Sequence, residues 1–158
     1  MKKNLEKATF AAGCFWHVEE AFRELKGVLK TTVGYTGGSM KNPSYEKVCT
    51  GATGHAEVVE IVYDLQQISY EELLDIFWKN HNPTTPNRQG PDVGSQYRSA
   101  IFYHNKKQKK AAEISLTEQQ KKWKTMIVTE IVPAMMLYNA EEYHQQYLKK
   151  RGLKTCSF

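Results

Sequence analysis

Apolar and polar positions along this chain change period in blocks, and the blocks read off an order of elements. Residues 8–12 form a short apolar run that enters Gly13 and reads as a strand. Phe15, Val18, Phe22 and Leu25 then recur at helical spacing, with Gly27 as the stop. Residues 29–35 read as a second strand closed by Gly37-Gly38, and residues 39–54, with Pro43, Gly51 and Gly54, as a loop with one helical turn near Tyr45. Residues 57–64 alternate as a strand. Ser69 with Glu72 makes a capping box ahead of Leu73, Leu74, Phe77 and Trp78, the signature of a helix. Residues 82–96 hold Pro83, Pro86, Gly90, Pro91 and Gly94 with neither period, a long loop of the kind that carries function. Beyond it the pattern predicts a strand at 98–103, a basic amphipathic helix from 105 to about 122, and a strand at 126–132 ended by Pro133. Asn139 with Glu142 opens a last helix through Tyr143, Tyr147 and Leu148.

The first six elements run strand, helix, strand, strand, helix, strand. That is the order of a ferredoxin-like split βαβ, an α/β (α+β) two-layer sandwich, here with C-terminal additions. The expected organisation is one catalytic domain over residues 1–158, with a flexible tail from about 150 to 158.

Composition narrows the function classes. Hydrophobic content of 41% and charged content of 25% suit a globular protein. No apolar run approaches a membrane span, and the first 13 residues lack a signal-type apolar segment, so a cytoplasmic location without a membrane partner is expected. The net charge of +5 gathers at 106–110 and 121–124, inside one predicted helix, which reads as a solvated face rather than a nucleic-acid surface. The three cysteines, Cys14, Cys49 and Cys156, form no Cys-x-x-Cys pair and no closed disulfide framework. Cys49 is expected to be an inert core residue, whereas Cys156 lies near the C-terminus, where burial is not expected.

Cys14 stands between a strand and a helix. Unpaired N–H groups and the positive helix end there favour a thiolate, and Phe15 and Trp16 set an apolar wall beside it. Glu57 shares a strand face with Val59 and Ile61, so it is either a strand-end carboxylate or one desolvated to serve as a proton donor near neutral pH. The run from Asp92 to Arg98 brings polar groups, Tyr97 among them, to the end of the long loop, and Tyr45 is a phenol in the other loop. His55-Ala56-Glu57 lacks the downstream Pro-Cys-x-x-Cys of zinc deaminases, and the five histidines show no metalloprotease spacing, so no metal is expected. A thiol acyl-transfer or peptidase site pairing Cys14 with His55 or His81 stays open, as does a basic redox-sensitive binding module using Cys14 and Cys156.

Together these residues resemble the type A peptide methionine sulfoxide reductases over nearly the whole chain. The motifs are Gly13-Cys14-Phe15-Trp16, Gly34-Tyr35-Thr36-Gly37-Gly38, the run from Asn42 to Cys49 with Gly54-His55-Ala56-Glu57, Asp92 through Arg98, and Tyr143 through Leu148. The resemblance implies reduction of methionine S-sulfoxide, free or in proteins, by a monomer with no bound cofactor. By it Cys14 is the nucleophile and Glu57 the acid, while Tyr45 and Tyr97 hydrogen-bond the sulfoxide oxygen. Asp92 orders the pocket, and Phe15 and Trp16 hold the S-methyl group. It further implies that Cys156 resolves a Cys14 sulfenic acid to a Cys14–Cys156 disulfide, which thioredoxin reduces, with Cys49 as a reserve resolver. His17 departs from the family, which usually has glycine there, and the lack of a fourth cysteine favours a two-cysteine cycle over a relay.

Overall fold

The structure, a computed structural model, describes residues 4–152. Strand β1 (Leu5–Ala12) feeds helix α1 (Phe15–Arg23), followed by β2 (Val28–Thr36), the short helix α2 (Tyr45–Cys49), β3 (Ala56–Asp64) and α3 (Tyr70–Lys79). Next come β4 (Arg88–Gln89), β5 (Asp92–Val93), a 3-10 turn at Ser95–Tyr97, β6 (Ser99–Tyr103) and α4 (Lys106–Gln120). β7 (Glu130–Pro133), β8 (Tyr138–Asn139), a second 3-10 turn at Glu142–His144 and α5 (Tyr147–Lys150) complete it.

One sheet runs in the order β7-β6-β1-β3-β2-β8. Its inner strands β6-β1-β3-β2 are all antiparallel, the arrangement expected of a split βαβ. β7 extends it parallel to β6 after the α4 crossover, and β8 adds two residues beside β2. Helices α1 and α3 lay their apolar stripes on one face. Phe10 from β1 stacks there on Phe22 and Phe77 at 5.3 and 5.2 Å between ring centroids, with Val59 and Ile61 from β3 beside them. Rings this large and fully buried dominate the energetics of a core. A smaller cluster on the opposite face joins Ala11, Ala56, Val58, Ala100 and Phe102 to Ala134 and Leu137.

The Ser69–Glu72 capping box is present in full, and Asn105 caps α4 by accepting from the Gln108 N–H. Three expectations change. The loop at 82–96 contains the β4–β5 hairpin and a 3-10 turn, elements too short to show a period. The strand expected at 126–132 is confined to Glu130–Pro133, where Pro133 stands at the outer edge and its missing N–H breaks no ladder bond. The last helix is divided. Asn139 lies in β8, and Gln146 takes a left-handed conformation (φ 51°) between the second 3-10 turn and α5.

Side chains fasten this C-terminal segment where regular pairing stops. The Gln145 amide accepts from the Val33 N–H at 2.9 Å and donates to the Val33 carbonyl at 2.9 Å. The buried Glu19 of α1 accepts from the Gln146 N–H at 2.6 Å and from the Thr31 hydroxyl at 2.7 Å. Among the described residues no helix is long and apolar enough to cross a membrane.

Candidate active site

Cys14 is the N-cap of α1, reached from β1 through Gly13 at φ +94°. Only glycine adopts that turn without strain, and a Cβ there would lie 2.8 Å from the Gln89 side chain. The first helical N–H, that of Phe15, has no partner within the helix. It donates instead to Glu57 Oε1 at 3.2 Å, bringing the start of β3 against the start of α1. Glu57 is 1% exposed, and its Oε2 has no hydrogen-bond partner. The strand-end reading of Glu57 is thereby excluded, because the residue is desolvated. Burial pushes its carboxyl up to about 8; the Phe15 N–H opposes the rise and the charge of Asp92 adds to it.

The thiol differs from expectation. Burial and then the charge of Glu57 push Cys14 up to about 12, against the Trp16 and His17 amides, which pull the other way. The helix N-terminus therefore does not outweigh desolvation, and no standing thiolate results.

The remaining side chains converge from separate elements. The charge of Glu57, after burial, raises the phenols of Tyr45 on α2 and Tyr97 on the first 3-10 turn. Asp92 on β5 acts on Cys14, His17, Glu57 and Tyr97 alike. Cys14, Tyr45, Glu57, Asp92 and Tyr97 thus form one electrostatic group, although 83 positions separate the first from the last. Phe15 is fully buried, stacked on Tyr45 at 6.3 Å and tilted against Tyr35 at 5.7 Å, so it lies beneath the site; the partly exposed Trp16 forms the wall. His17 is half-buried and its imidazole is pushed down by desolvation. Cys49 corrects the expectation of an inert core thiol. It is exposed, hydrogen-bonded to the Tyr45 side chain, and within the electrostatic reach of Glu57. Cys156 lies outside the described residues.

Three further residues shape the site without having been singled out. The indole N–H of Trp16 donates to His144 Nδ1 at 2.9 Å, and Tyr147 stacks on Trp16 at 3.8 Å. Glu141 accepts from the Tyr35 hydroxyl at 2.9 Å and the Tyr45 N–H at 3.1 Å. His144 and Tyr147 lay within a quoted motif, but contacts spanning over a hundred positions leave no local periodic signal.

The peptidase alternative finds no base among the histidines it named. His55 hydrogen-bonds the Gly38 N–H and the Met40 carbonyl, and His81 the Phe77 carbonyl and the Ser99 hydroxyl, so both rings are fully engaged elsewhere. Among the described residues no three His, Cys, Asp or Glu side chains gather as metal ligands would. The fold and site define a thiol enzyme whose cysteine lies beside a buried carboxyl.

Comparison with known proteins agrees. The family model for peptide methionine sulfoxide reductase matches residues 6–158. The reductase MsrA of Methanosarcina acetivorans is 61% identical over 152 residues, covering 95% of this chain and 81% of that protein. Among solved structures, Mxr1 from Saccharomyces cerevisiae in reduced form superposes with a TM-score of 0.91 at 38% identity, covering 99% of this chain and 92% of that one. Mxr1 in complex with Trx2 gives a TM-score of 0.66 at 29% identity, covering 93% and 89%. The chain belongs to the peptide methionine sulfoxide reductase family, type A. It is a peptide-methionine (S)-S-oxide reductase working through a thiol.

Proposed function

We propose that Cys14 attacks the sulfur of methionine S-sulfoxide while Glu57 delivers a proton to its oxygen. The observation that carries this is the carboxyl of Glu57, buried beside Cys14 with Oε1 occupied and Oε2 open. A sulfoxide sulfur is a poor electrophile until its oxygen is protonated, and a carboxyl at about 8 still holds its proton at neutral pH. The Tyr45 and Tyr97 hydroxyls donate to the same oxygen as charge develops, Asp92 orders them, and Trp16 over Phe15 receives the S-methyl group. The thiol gives up its proton when substrate is in place, since nothing holds it ionised beforehand.

Oxygen transfer releases methionine and leaves Cys14 as a sulfenic acid. Cys156 condenses with it, expelling water and forming the Cys14–Cys156 disulfide, which thioredoxin reduces by thiol–disulfide exchange. The complex of Mxr1 with Trx2 supports thioredoxin as the reductant. No organic cofactor or metal is needed. The protein acts as a monomeric, single-domain cytoplasmic repair enzyme under oxidative stress, independent of nucleic acid and membranes; the tail expected from about residue 150 lies mostly outside the described residues.

A thioredoxin-coupled NADPH assay with separated sulfoxide epimers tests the reading. Turnover is expected with the S epimer alone; turnover of the R epimer alone would overturn it. Cys14→Ser should abolish reduction. Cys156→Ser should release one methionine per enzyme and stop; multiple turnover in that variant would transfer the resolving role to Cys49.

A further inference from the structure

Among the described residues the buried acidic side chains are Glu57 in the site, Asp64 at the end of β3, and Glu19 within α1. Asp64 accepts from the Gln66 N–H and the Gln67 side-chain amide, so its burial serves a local turn. Glu19 serves no turn and has no part in the steps assigned to Cys14 and Glu57, yet it is 1% exposed. A carboxyl taken out of water costs free energy unless it is hydrogen-bonded, so its partners reveal its use. Burial raises the Glu19 carboxyl. The donors that pull it back are the Thr31 hydroxyl at 2.7 Å and the Gln146 N–H at 2.6 Å.

Trp16 and Glu19 stand one turn apart on α1 and so share a face of the helix. Both meet the C-terminal segment. The Trp16 indole N–H donates to His144 at 2.9 Å, Glu19 takes the Gln146 N–H, and Tyr147 stacks on the indole with centroids 3.8 Å apart and planes within 8°. Residues so close in sequence reach one helix face together because Gln146 is left-handed, at φ 51° and ψ 42°. A residue other than glycine keeps that conformation only where its surroundings enforce it. A right-handed Gln146 would carry Tyr147 away from the indole. The Gln145 clamp on Val33 lies ahead of the turn, so it holds the segment to the sheet without setting where Tyr147 lands. Glu19 sets it.

We propose that Glu19 is a positioning residue for the sulfoxide pocket. By accepting the Gln146 N–H it fixes the left-handed turn that seats Tyr147 on Trp16, and so sets the angle of the wall that receives the S-methyl group. The inference rests on Trp16 being that wall. The methyl group touches the wall before and during oxygen transfer alike, so loss of Glu19 weakens substrate binding and leaves the chemical step unchanged.

The test is single-turnover methionine release at increasing methionine S-sulfoxide, with a thermal melt of each variant. Glu19→Leu removes the acceptor. Its half-saturating concentration should rise about three- to tenfold, the worth of one aromatic pair, with the maximal rate within about twofold of wild type. Glu19→Gln should stay near wild type, since its amide oxygen still accepts from Gln146 and its N–H can donate to Thr31. Gln146→Pro attacks the same turn from a half-buried position. Proline holds φ near about −65° and has no N–H to give. Gln145 is already extended at φ −70° and ψ 124°, as a residue before proline must be. This variant should match Glu19→Leu, and it decides the matter where the core variant does not fold. In proton–nitrogen correlation spectra the Trp16 indole signal, identified by its loss in Trp16→Phe, should move in both variants toward its position in Tyr147→Ala. An indole signal that stays in place, or a lowered melt with unchanged half-saturation, would make Glu19 a structural residue only and overturn the proposal. Equal weakening in Glu19→Gln would overturn it too. Trp16→Ala separates the two readings. If it leaves half-saturation unchanged, the wall assignment fails and the proposal falls with it; if it raises half-saturation while Glu19→Leu does not, the proposal alone fails.

Discussion

Glu57 is where stability and chemistry oppose each other most directly. Its carboxyl is held near 8 by burial, above its ordinary value, so between those two pH values the folded chain binds more protons than the unfolded one. Stability from this group is therefore full at low pH and declines as pH rises through 8. Glu57→Gln keeps the shape without the charge. It should melt at a higher temperature than wild type at pH 9, with the two converging near pH 5. The same variant should slow single-turnover methionine release about a hundredfold or more, the usual share of a general acid. An unchanged release rate would remove Glu57 as the proton donor. In the wild type that rate should fall as pH climbs past 8, because the acid loses its proton there. Cys14 and Glu57 interact, so the limb reports the pair rather than either residue alone. Gly13→Ala, measured by denaturant unfolding, should cost roughly 1–3 kcal/mol, since the new methyl meets Gln89 and the turn requires positive φ.

At the level of elements, the C-terminal segment explains what local pattern could and could not reveal. Helix α3 was legible because its start depends on residues three apart, Ser69 and Glu72, and its buried face repeats at helical spacing. Glu57 was legible as unusual because strand alternation placed a carboxylate among core positions. The break at Gln146 was not, because its cause is Glu19, 127 positions away, drawing a backbone N–H out of helical register. Short pieces such as β4 and β5 escape for a different reason, since two residues cannot establish a period. The same long-range carboxylates make element-scale predictions. Glu141→Ala should release the Tyr35 hydroxyl and the first amide of α2, loosening Tyr45. A several-fold rise in KM for a sulfoxide peptide is expected, with the S-epimer preference retained; an unchanged KM would show that α2 is held without it.

The molecule as a whole carries a buried polar chain that runs across its layers. His81 after α3 hydrogen-bonds the Ser99 hydroxyl at 2.7 Å, and Ser99 meets the Thr129 hydroxyl at 2.7 Å just before β7. Burial pushes the His81 imidazole down to about 4, against a modest opposing pull from the Phe77 carbonyl. Its neutral form is required in the folded state, so this contribution is complete above the ordinary histidine value of about 6.5 and is lost as pH falls toward 4. Unfolding midpoints measured from pH 7 to pH 4 should fall more steeply in wild type than in His81→Gln. Parallel slopes would assign the acid lability to other groups.

The Gln145 amide that grips both backbone groups of Val33 has a consequence for the company the protein keeps. A strand at a sheet's rim offers its free peptide groups to any other extended chain, and such offers begin aggregates. Beside Val33 that offer is withdrawn, because the amide answers the N–H and the carbonyl as a neighbouring peptide unit would. At that position β2 is closed to pairing with any other extended chain, a sulfoxide-bearing peptide substrate included.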